Sequence, residues 1–183
     1  MKKHIVSITT FAFAFFILAN VSYAEQKGTS LDAHVHGLSQ LNIAVEGEKV
    51  ELEFSSPAMN LVGFEHKATS KKDIAAVKQT ESILRQPEML FSLSEAQCKP
   101  VYTNIDISGL IEHDHKAHDE HETHSEIVAN YSFECKDSSV LSSIKVSLFE
   151  SFAGIYKIQA MWVTPSKQGS AKLTAENPVV LLR

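Results

Sequence analysis

Two stretches with a two-residue period constrain this chain more than anything else in it. The first runs through Val101, Thr103, Ile105 and Ile107, the second through Ile127, Ala129, Tyr131 and Phe133. That period belongs to strands with one buried face. Between them lie fifteen residues, Glu112 to Glu126, holding five histidines, six carboxylates and one lysine. The pattern predicts paired strands with this run as the long loop between them. The chain's two cysteines, Cys98 and Cys135, then meet at the open end of the hairpin. Simple alternation does not put both thiols on one face, and a bulge near Pro100 would correct this.

The same reasoning places the other elements. Leu31, Ala33 and Val35 alternate in part, followed by Leu41, Ile43 and Val45. After Gly47 come Val50, Leu52 and Phe54. Two such runs around a glycine-containing turn predict a hairpin that ends at Ser55-Ser56-Pro57. Ser70 followed by Asp73 marks a helix start. Ile74, Val77 and Leu84 continue at helical spacing, and Arg85-Gln86-Pro87 stops the helix. Val140 to Phe152 fits either a helix or a strand. Ile158, Ala160 and Trp162, then Leu173 and Val179 to Leu182, predict further strands, with a polar turn over Pro165 to Gly169. The fold class is α+β: an antiparallel sheet with one or two covering helices and a long histidine-rich loop between two strands.

Residues 1–24 read as a secretory signal peptide: a basic start, an apolar run from Ile5 to Ala19, and small residues at Ser22 and Ala24. The mature chain, 25–183, is then one metal-binding domain with 112–126 as a flexible loop, and nothing in it inserts into a membrane. An even pair of cysteines in an exported chain reads first as a disulfide, because the compartment is oxidising. Two thiolate metal ligands are the alternative, without the CxxC spacing that would support them. The formal net charge of −5 argues against nucleic acid as a partner.

Histidine is the unusual residue, with nine copies, five of them between 113 and 124. Imidazole suits Zn(II), Cu(II) and Ni(II), and carboxylates complete such sites. In the loop, His113, Asp114, His115, His118, Asp119, His121 and His124 are the candidate ligands. His118, His121 and His124 would fan across about 120° of a helix, so the spacing does not define one closed site. It suits several overlapping sites of few ligands, which capture and release metal. The bland reading is a solvated acidic loop. A second group is His34-Val35-His36-Gly37. On a strand its two imidazoles point the same way. Glu65 and His66 are candidates to complete that site. No GxSxG, HExxH, Walker loop or GxGxxG is present.

Several strings together are similar to the ZrgA family of zinc-regulated periplasmic proteins of Gram-negative bacteria. They are Ala33-His34-Val35-His36-Gly37, the block Ser56 to His66 (SPAMNLVGFEH), the Cys98…histidine-rich…Cys135 arrangement, Leu148 to Phe152 (LFESF) and Ile158-Gln159. The resemblance covers essentially the whole mature chain. It implies periplasmic zinc binding in support of zinc uptake, alongside a zinc ABC transporter or its periplasmic binding protein. It carries over His34, His36, Glu65 and His66 as fixed-site ligands, and the loop histidines as the histidine-rich region. The expectation is a zinc-binding protein with Zn(II) as its cargo, and not an enzyme. The rivals are copper or nickel sequestration, a small metal-dependent hydrolase built on His34, His36 and His66, and an interaction domain with an incidental acidic loop.

Overall fold

The computed structural model describes residues 35–93, 96–111 and 125–182. The signal segment, His34, Ser94, Glu95, Arg183 and the ligand candidates from His113 to His124 lie outside the described residues. The described elements are strands β1 (Leu38–Glu46) and β2 (Lys49–Pro57), helices α1 (Ala58–Val62), α2 (Lys71–Leu84) and α3 (Pro87–Leu90), and strands β3 (Phe91–Ser92), β4 (Cys98–Asp106) and β5 (Glu126–Cys135). They continue with β6 (Ser143–Val146), α4 (Leu148–Ser151), β7 (Lys157–Val163), β8 (Gln168–Leu173) and β9 (Val179–Leu181).

Six strands form one sheet in the order β4-β5-β2-β1-β7-β8, and three form a second in the order β3-β6-β9. The α+β expectation holds, with one correction. The large sheet is mixed, because β1 and β7 run parallel, Leu41 opposite Ala160 and Ile43 opposite Trp162. Alternation fixes which face of a strand is buried and carries no information on the direction of its neighbour.

The alternation is realised on β1, β2, β5 and β7, while on β4 Val101 departs from it and is 56% exposed, because the register shifts there. Leu41, Ile43, Leu52, Phe54, Ile127, Ala129, Phe133, Ile158 and Ala160 are all buried on one face. Glu51 and Glu53 on β2 stay exposed on the other. Phe91, Ile144, Val146 and Val180 bring the small sheet into the same core. The ambiguous segment Val140 to Phe152 divides, with strand β6 in its middle and the single turn α4 near its end.

Helix α2 begins as its sequence requires: the Ser70 side chain accepts from the Asp73 backbone N–H at 3.1 Å. Val77, Thr80 and Leu84 form its buried face. Its end is tied to the sheet by Tyr131, whose hydroxyl donates to the Leu84 carbonyl at 2.9 Å. Burial pushes the Tyr131 phenol above its usual titration range. Tyr131→Phe should therefore cost about 1–2 kcal/mol, because the Leu84 carbonyl loses its buried partner. Urea unfolding reads this directly, and an unchanged midpoint would show that water replaces the phenol.

The hairpin β4–β5 forms with Cys98 directly opposite Cys135, and the two sulfurs are bonded. The register shifts between Pro100 and Tyr102, so β4 carries one extra residue, Val101. That is the bulge the two thiols need, and it leaves neither cysteine free as a thiolate.

Candidate metal centre

His36 does not sit on a strand. The chain turns at Val35–Gly37, and β1 begins at Leu38. The Leu38 N–H donates to the Val35 carbonyl at 2.9 Å, closing the turn. Gly37 has φ +85°, a conformation that side-chain-bearing residues adopt only with strain. The pairing of two imidazoles on one strand face is therefore not how His36 is presented. His34 lies outside the described residues.

Glu65 reaches His36 from the other side of the sequence. Helix α1 follows directly from β2 and ends at Gly63, where φ is again +85°. The chain then passes Phe64 and places Glu65 Oε1 3.2 Å from His36 Nε2. The Glu65 side chain is largely covered, at 18% exposure, while His36 is open at 57%. His66 goes elsewhere: its Nε2 lies 3.6 Å from Asp73 Oδ2, and its ring stacks on Phe64 at 4.7 Å. The Ser70 hydroxyl, and then His66, hold the Asp73 carboxyl below the usual carboxylate range. Sequence reasoning took Asp73 only as a helix-capping acid and so missed it as the partner of His66.

The stems of the histidine-rich run are fastened to the Glu65 segment. On the incoming side, the Ala68 N–H donates to the buried Leu110 carbonyl at 2.8 Å, and Lys67 Nζ donates to the Ser108 carbonyl at 3.1 Å. On the outgoing side, the Ser125 hydroxyl lies within bonding distance of the Glu65 and Gly109 carbonyls, at 2.9 and 3.0 Å. The Ser125 carbonyl accepts from the Ala58 N–H at 2.8 Å. Ser125 is only 5% exposed. Its position immediately after His124 was the available sequence signal, but a lone serine there carries no pattern.

Chemically, His36 and Glu65 make a two-donor arrangement. Two donors bonded to one tetrahedral zinc stand about 3.3 Å apart, given bonds near 2.0–2.1 Å. The observed 3.2 Å matches that separation. Among the described residues, no three His, Cys, Asp or Glu side chains are grouped to hold a metal.

Residues 33–182 match the model of a family described as zinc uptake proteins, the ZrgA family. The chain belongs to the ZrgA family. The ZrgA match spans His34, His36, Glu65, His66, the whole histidine-rich run and both cysteines. The nitrogen and oxygen donors of the His36–Glu65 pair suit the zinc that the ZrgA description names. Among curated proteins, none matches this sequence.

Proposed function

We propose that this protein is an exported, periplasmic zinc-binding protein that captures Zn(II) and passes it to a zinc ABC transport system, without catalysing a reaction. The observation that carries the reading is the fastening of both stems of the histidine-rich run beside Glu65. Residues 112–124 number thirteen, and a chain extends by at most about 3.3–3.6 Å per residue. With both ends held, its middle reaches no further than roughly 20–25 Å from the stems. The five loop imidazoles are therefore kept at high local concentration around His36 and Glu65. Loop sites of few ligands exchange metal quickly. The His36–Glu65 pair, completed by a loop histidine or His34, holds it longer. This division suits transfer.

Two further observations bear on the rivals. His66 pairs with Asp73, which weakens the hydrolase built on His34, His36 and His66. The disulfide removes thiolates, which Cu(I) would favour. Imidazole and carboxylate also take Cu(II) and Ni(II), so each metal belongs in the same titration.

Calorimetry on residues 25–183 tests the proposal. The intact chain is expected to bind two or more zinc ions. Deleting 112–124 should lower the stoichiometry. His36→Ala with Glu65→Ala should weaken the tightest class about tenfold or more. An unchanged stoichiometry after the deletion would remove the loop from the function. Absent or millimolar binding in the intact chain would favour the interaction domain.

A further inference from the structure

Asn60 is 4% exposed, and both polar atoms of its side chain are engaged. Its Oδ1 accepts from the Gly37 N–H at 2.7 Å. Its Nδ2 donates to the Leu38 carbonyl at 3.0 Å and to Ser56 Oγ at 3.1 Å. Two of these three bonds end on the residues that immediately follow His36. Asn60 is itself held from behind: a side chain at Gly154 would collide with the Asn60 backbone. The turn is held from the far side, where the Tyr156 ring lies against Gly37 and the Tyr156 and Lys157 N–H groups donate to the Gly37 carbonyl at 2.8 and 2.9 Å.

Asn60 also sits on α1, the helix whose end delivers Glu65 five residues later. One side chain therefore links the turn that carries His36 to the helix that leads into the Glu65 segment. We infer that Asn60 is the positioning residue of this pair: it sets the His36–Glu65 separation and thereby the zinc affinity of the fixed site. The inference deepens the zinc reading and rests on it for the affinity, but not for the geometry. Asn60→Ala leaves the Gly37 N–H and the Leu38 carbonyl without their buried partner and frees the turn. Ser56→Ala is the control: it removes the one Asn60 bond that does not lead to the turn, together with the 2.8 Å bond between the Ser56 and Ser39 hydroxyls, and Ser39→Ala beside it removes that second bond alone.

The test uses the intact protein with two readouts. Without metal, NMR follows exchange of the Gly37 amide and the ring-nitrogen correlations of His36. With zinc, a chelator competition gives the affinity. Asn60→Ala should raise Gly37 exchange at least tenfold beyond any change at Ile43, alter the His36 ring signals, and weaken the tight zinc site about 10–100-fold. Ser56→Ala should leave all three near wild type. Equal losses in both variants, or an unmoved Gly37 amide in Asn60→Ala, would reduce Asn60 to an ordinary core amide. If the metal-free signals move while zinc affinity is unchanged both here and in His36→Ala, the positioning stands and the zinc site at His36 fails. Should Asn60→Ala not fold, zinc titration of the wild type decides: the Asn60 side-chain amide signals must shift in step with the His36 ring. Ring shifts without them would overturn the inference.

Discussion

Replacing Cys98 and Cys135 together by serine should lower stability by about 4 kcal/mol. The bond joins residues 37 apart in sequence, and closing a loop of that length removes roughly 13 cal/mol/K from the unfolded chain. For a chain of this size the loss corresponds to a melting temperature lower by about 8–16 °C. The native state loses little else, because β4 and β5 keep their backbone pairing from Lys99 opposite Glu134 to Asp106 opposite Val128. The zinc stoichiometry measured well below the new midpoint should stay the same, since neither thiol is free to ligate. Thermal and urea unfolding of the variant beside wild type give the number. A loss below about 1 kcal/mol would mean that the unfolded chain keeps β4 and β5 near each other without the bond.

Phe54→Ala should cost about 3–5 kcal/mol, the range for deleting a buried aromatic ring from a core that relaxes only in part. Phe54 is fully buried on β2, which lies inside the large sheet between β5 and β1. It stands opposite Ala129 on one side and Leu41 on the other. Ala129 is small and cannot swing into the vacated space, so the cavity persists. The expected readout is a lower urea midpoint with an unchanged slope. The same strand runs on through Ser56 into α1, so the variant should also lose zinc at a lower temperature than wild type. A cost near 1 kcal/mol would show that the sheet closes over the gap.

Much of the fold was legible because its signals are local. The Gly47 turn between alternating runs specifies the β1–β2 hairpin, and Ser70 with Asp73 specifies the start of α2. The bulge was legible too, since two cysteines that must meet impose a parity that plain alternation breaks. The candidate site was legible only in part. Residue types named His36, Glu65 and His66, but not their partners. Glu65 turns to His36 while the adjacent His66 turns to Asp73, a divergence that residue types alone do not encode. Asn60 was one letter in a quoted block, because a buried amide has no spacing to betray it.

The sequence by itself determined which residues of β1, β2, β5 and β7 face the core, where the first hairpin and the long helix lie, and that imidazole and carboxylate donors are concentrated between two strands. All of these depend on neighbours a few positions away. Only the tertiary structure decided that β7 lies parallel to β1, that His36 stands on a turn locked by Asn60 and Tyr156, and that both stems of the histidine-rich run are bonded beside Glu65. Those choices join residues roughly 20 to 120 positions apart. A two-residue period is satisfied equally by any strand partner, so the choice falls to packing of the whole core.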